Sequence, residues 1–127
     1  KNKFMEDKIT TIKKLKDLAE KFVKDRNWGK HHSAKNLAVS IAIEAAELME
    51  HFQWDKYIQK NKSEVENELA DVIIYCLHFA NSMKIDISEA VERKIEKSSK
   101  KYPVKIFNYK KDDPKDYWKI RKDHRKK

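Results

Sequence analysis

One glycine, two prolines and a single cysteine stand among 127 residues. So few turn formers exclude a β-sandwich, a closed barrel or a Rossmann-type sheet, all of which need many tight turns. The lone glycine, Gly29, also excludes a Gly-rich phosphate cradle, and no P-loop, GxGxxG or HExxH pattern is present. One cysteine builds neither a disulfide framework nor a Cys-rich zinc site, and Cys76, inside an apolar run, reads as core. No run approaches the ~18 apolar residues of a membrane span. The first residues lead into a polar stretch and not into the apolar core of a signal peptide. What is abundant is charge: 40% of residues are charged, with 30 Lys and Arg against 21 Asp and Glu, a net charge of +9. Lys, Glu, Ala, Leu and Ile dominate, a composition that favours helices. The expectation is a cytoplasmic, all-α chain of one domain with no membrane partner.

Apolar spacing predicts four helices. The first covers residues 7–26, with Ile9, Ile12, Leu15, Leu18, Ala19, Phe22 and Val23 at three- and four-residue steps. The second starts at the N-cap Ser33 and runs to about Trp54, apolar nearly all round. The third begins near Ser63, where Ser63 and Glu66 fit a capping box. The fourth follows Asp86 and ends close to Tyr102, because Pro103 disfavours helix in the residue before it. Beyond Pro103 the pattern is irregular, and residues 104–127 carry ten Lys or Arg against four Asp. The chain therefore divides into a domain over residues 1–103 and a basic C-terminal tail over residues 104–127. A helix as apolar as the second one predicts a four-helix bundle completed by oligomerisation, as a homo-oligomer.

Four acids interrupt these apolar stretches. Glu44 and Glu47 lie three apart on the second helix, and Glu68 and Asp71 three apart on the third, so each pair shares a helix face. The ordinary reading of such pairs is solvated charge with Lys partners. Here no Lys or Arg stands between Ser40 and Asp55, and apolar neighbours surround the first pair. Clustered carboxylates repel one another and a divalent cation removes the conflict. Oxygen ligands without cysteine favour Mg²⁺, with Mn²⁺ as the alternative, over Zn²⁺. Glu50 and Glu66 are weaker candidates, the latter having a capping role.

Glu44-x-x-Glu47, a spacer of twenty residues and Glu68-x-x-Asp71 resemble the signature of the MazG-like all-α nucleoside triphosphate pyrophosphohydrolases. Arg26-Asn27-Trp28, His32, Asn36-Leu37, Phe52-Gln53-Trp54, Glu68 to Tyr75 and Lys100-Lys101-Tyr102-Pro103 are similar to the dCTP pyrophosphatase branch in order and spacing. The resemblance implies Mg²⁺-dependent cleavage between the α and β phosphates of a nucleoside triphosphate, foremost dCTP or modified dCTP, in nucleotide-pool house-cleaning. It implies catalytic and metal-holding roles for Glu44, Glu47, Glu68 and Asp71, with Glu47 as the general base, and assembly as a dimer or tetramer. It assigns Trp28 and Trp54 to the base pocket, where unaided reading makes them core aromatics.

The remaining substrate candidates are Tyr75 for the deoxyribose, His32 and Asn36 for base or phosphate, Lys35 and Lys94 for phosphates, and Ser98 for a substrate contact that bears on base preference. Ser98 stands where the resembling sequences often carry Asn. The alternatives are a non-enzymatic helical oligomer with the acids in interhelical ion pairs, or a nucleic-acid-binding protein acting through the basic tail.

Overall fold

The computed structural model describes residues 5–54, 61–107 and 114–125. These residues are largely helical and contain no strand. The chain forms two compact units, Lys1–Asp86 and Ile87–Lys127.

The first unit holds α1 (Ile12–Asp25), α2 (Ala34–Glu50) and α3 (Lys62–Met83). Thr11 caps α1, its hydroxyl accepting from Lys14 N, and Ser33 caps α2 in the same way from Asn36 N at 3.1 Å. α3 packs against both α2 and α1. His51 meets Glu68 at one end of the α2–α3 pair, while His32 meets His78 and Ser82 near the other. The two helices are therefore antiparallel. α1 is tied to the far end of α3 by Asn81 Nδ2 donating to Lys16 O at 3.0 Å and Lys16 Nζ donating to Ile85 O at 2.7 Å.

Four sequence expectations are corrected here. α1 starts at Ile12 and not at residue 7, because residues 7–9 form a turn and Thr11 caps the helix. α3 starts at Lys62, so Ser63 lies inside its first turn, Asn61 is the cap residue, and the Ser63–Glu66 capping box does not form. α2 ends at Glu50, with residues 51–54 in turns and bends. The segment after Pro103 is also helical where it is described, in α5 (Val104–Phe107) and α6 (Pro114–Arg125). In the second unit these follow α4 (Ile87–Lys101), and Tyr102 stacks on Tyr117 with ring centroids 5.4 Å apart.

Scarce glycine has a structural consequence. α1 and α3 each end on a non-glycine residue in the left-handed region, Asn27 and Lys84, both at φ 54°. The amide of the next residue reaches back five positions in each case, Trp28 N to Val23 O and Ile85 N to Ala80 O. This is the Schellman ending that glycine usually supplies. Asn tolerates it, while a Lys Cβ makes it costly. Lys84→Gly is expected to stabilise the chain by up to about 1 kcal/mol, read as a higher urea midpoint.

The core of the first unit is small: Ala19, Val23, Leu37, Leu77 and Ala80, with the polar His78 among them. By contrast Val39, Ile43, Leu69, Ile73 and Ile74 remain about half exposed on α2 and α3. Among the described residues, no helix is long and apolar enough to cross a membrane.

Candidate active site

The antiparallel pairing of α2 and α3 brings the two acid pairs to one place. Carboxylate oxygens of Glu44, Glu68 and Asp71 all lie within 4.8 Å of one another. Glu47 lies outside this group but close enough for its charge to act on both Glu44 and Glu68. Two oxygens of the cluster, Glu44 Oε2 and Glu68 Oε2, are buried without any hydrogen-bond partner. Buried polar oxygens are almost always partnered, and leaving one unsatisfied costs roughly 1–3 kcal/mol.

The electrostatics follow from this crowding. Glu44 is pushed up to about 7, first by the Glu47 side chain, then by burial, then by the negative charges of Glu47, Asp71 and Glu68. Glu68 is also raised, first by burial and then by Glu47 and Asp71, while His51 opposes the shift. His51 Nε2 stands 4.0 Å from Glu68 Oε1. It escaped the sequence reading, although it lies four residues beyond Glu47 and seven beyond Glu44, on the same helical stripe. The arrangement provides a compact, all-oxygen, strongly anionic site, the donor set that suits a hard divalent cation.

A second group lies farther along the same helix pair. His78, buried, contacts the His32 ring at 4.9 Å and the Tyr75 ring at 5.8 Å. His78 was not singled out from sequence, yet it falls seven residues after Asp71. A cavity of about 200 Å³ opens beside His32 and His78, lined also by Glu20, Asn81 and Ser82. Burial, and then the neighbouring His32, hold His78 below the usual imidazole range. Burial and then His31 do the same for His32.

A histidine depressed in the folded state adds no penalty above its unfolded value of 6.5 and destabilises progressively as pH falls below it. Wild type should therefore lose urea stability relative to His78→Gln between about pH 7.5 and pH 5.5. An unchanged difference between the two proteins would contradict a neutral, buried His78.

The other expected residues are placed as follows. Trp28 packs edge-on against Phe22 at 5.6 Å and keeps nearly half its surface exposed. Trp54 is 81% exposed. Asn36 Nδ2 donates to His31 O at 3.2 Å, which steadies the entry to α2, and Lys35 is exposed in its first turn. Lys94 and Ser98 belong to the second unit, where both line a cleft between α4 and α6.

Comparison with known proteins bears on the same helices. The MazG-like family matches residues 39–116, a span that includes all four acids. dCTP pyrophosphatase 1 of Mus musculus is 29% identical over 104 residues, covering 76% of this chain and 61% of that protein. The Homo sapiens counterpart is 27% identical over 104 residues, with the same shares. The chain thus spans about three fifths of the length of these curated relatives. A crystal structure of a pyrophosphatase from Archaeoglobus fulgidus DSM 4304 shares 42% identity and superposes with a TM-score of 0.70, covering 81% of this chain and 99% of that one. With the match running through the acid-bearing helices and the all-helical fold agreeing with that pyrophosphatase, the chain belongs to the MazG-like family.

Proposed function

We propose that the chain hydrolyses a nucleoside triphosphate between its α and β phosphates, giving the monophosphate and pyrophosphate. The observation that carries this reading is the pair of buried, unpartnered carboxylate oxygens, Glu44 Oε2 and Glu68 Oε2, in the cluster that Glu44 and Glu68 form with Asp71. Family membership and relatives named dCTP pyrophosphatase and pyrophosphatase support it. Orphaned oxygens and an all-carboxylate donor set fit Mg²⁺, or Mn²⁺, held by Glu44, Glu47, Glu68 and Asp71. When bound, such an ion neutralises phosphate charge and helps activate water at neutral pH.

The residues of the chain then divide the work. Glu47, whose charge acts on both Glu44 and Glu68, is the general base for the attacking water. The exposed indoles of Trp28 and Trp54 offer faces for the base. Tyr75, one turn after Asp71, packs on the sugar, and His32 and Asn36 bond base or phosphate. Lys35 and Lys94 contact phosphates, and Ser98 makes a further substrate contact. The preferred substrate is dCTP or a modified dCTP, and the role is house-cleaning of the nucleotide pool in the cytoplasm. Residues 1–103 form the pyrophosphohydrolase domain and residues 104–127 its basic extension. The half-exposed Val39, Ile43, Leu69 and Ile73 support a homo-oligomer, dimer or tetramer, that covers them.

A panel of deoxy- and ribonucleoside triphosphates, assayed with Mg²⁺, tests the substrate. The highest kcat/KM is expected for dCTP, and an equal rate across all bases would overturn the base preference. Trp54→Ala is expected to raise KM about tenfold with kcat little changed, since stacking on an aromatic ring contributes roughly 1–3 kcal/mol per base. An unchanged KM would remove Trp54 from the base pocket.

A further inference from the structure

The basic tail folds into a site of its own. α4 and α6, both in the second unit, enclose a cleft of about 900 Å³. Lys94, Lys97 and Lys101 line it from α4, at the spacing that puts side chains on one helix face. Arg121 and Arg125, four residues apart, line it from α6. Among the described residues no carboxylate lines the cleft and none of these five cations forms an ion pair, while Lys100, which also lines it, pairs with Glu96 at 3.5 Å. Like charges four apart on a helix destabilise it by a few tenths of a kcal/mol. Two cationic stripes bordering one cleft add to that cost, and a multivalent anion relieves it.

The floor is ordered. Tyr102 and Tyr117 stack with ring planes 25° apart, and the Lys101 ammonium sits 5.1 Å over the Tyr102 ring. Arg121 donates to Tyr117 Oη at 3.5 Å, and its guanidinium lies 5.4 Å over the Trp118 ring. Arg121 is thereby anchored by one nitrogen while the rest of its five-donor fork stays available. A planar fork suits phosphate oxygens better than an ammonium does. The volume is that of a site for a small molecule of nucleotide size.

We infer that the α4–α6 cleft binds an oligophosphate group, with Arg121 and Arg125 as phosphate contacts contributed by the tail. Its ligand is either the phosphate chain of a nucleoside triphosphate or free pyrophosphate. Only the nucleotide source rests on the function proposed above, through Lys94 and Ser98.

The test is calorimetry with inorganic pyrophosphate on the full chain in EDTA, which needs no turnover and no metal. Binding that weakens with salt is expected, reduced at least tenfold in Arg121→Gln/Arg125→Gln and unchanged in Glu44→Gln. Should the double variant fail to form α6, Lys97→Gln on α4 carries the test, with a loss of several-fold expected. No pyrophosphate binding, or binding that none of the cleft substitutions weakens, overturns the inference. Kinetics then separate the two sources. A KM for the triphosphate raised tenfold at constant kcat assigns the cleft to the substrate's phosphates. An unchanged KM with lost pyrophosphate affinity assigns it to free pyrophosphate. If a single-stranded oligonucleotide binds more than tenfold tighter than pyrophosphate through the same arginines, the cleft is a nucleic-acid site and the inference falls.

Discussion

Glu47→Gln is expected to lower kcat at least about a thousandfold while leaving the helical content intact. General-base catalysis alone contributes roughly 10²–10⁴-fold, and loss of a metal-holding carboxylate adds to it. The same exchange at Glu44 makes the logic sharper, because function and stability should move in opposite directions. Glu44 is raised to about 7 in the folded chain, from an ordinary value of 4.5. A carboxyl raised on folding contributes its stability in the protonated form, fully at low pH, and loses it as pH climbs through the folded value. In EDTA at about pH 8, Glu44→Gln should therefore melt at a higher temperature than wild type, since it removes one charge from a crowded, partly buried group. Saturating Mg²⁺ should reverse the order by stabilising wild type alone. A stability loss in EDTA without any effect on turnover would mark the acids as a structural ion-pair network.

Leu37→Ala is the second large effect, on stability this time. Leu37 is the most completely buried large side chain described, at 1% exposure, in a core of only a few residues. Truncation of such a leucine costs about 2–5 kcal/mol, through lost burial plus the cavity left behind. A domain of this size has about 5–15 kcal/mol in total, so the urea midpoint should fall steeply and part of the chain should unfold at physiological temperature. Ile73→Ala, nearly half exposed within one chain, provides the contrast. It should cost little if the chain is monomeric. A loss as large as that of Leu37→Ala, growing as the protein is diluted, would show that a second copy covers Ile73.

The helices were legible because their apolar spacing, the Ser33 cap and the stop before Pro103 are local signals. The acid cluster was legible for the same reason, since two i,i+3 pairs on neighbouring helices have few ways to avoid each other once the helices pair. What local patterns could not supply was the partner across the hairpin. His51 beside Glu68 and His78 beside His32 depend on the antiparallel register of α2 and α3, which no single stretch encodes. The end of α1 was legible to within a residue, whereas the left-handed ending at Lys84 was hidden because the usual glycine is missing there. α6 did carry a signal that was passed over: Pro114 at the first helical position is a frequent helix start. Its apolar residues, Tyr117, Trp118 and Ile120, are too few and too crowded to show a helical period.

The most direct test of the central claim is the identity of the products. Wild-type protein incubated with dCTP and Mg²⁺, followed by phosphorus NMR, should show dCMP and pyrophosphate accumulating together, with neither dCDP nor free phosphate. Cleavage to dCDP and phosphate would contradict attack at the α–β bond, and an unaltered dCTP spectrum, with the protein folded and metal present, would contradict the enzymatic reading of the acid cluster.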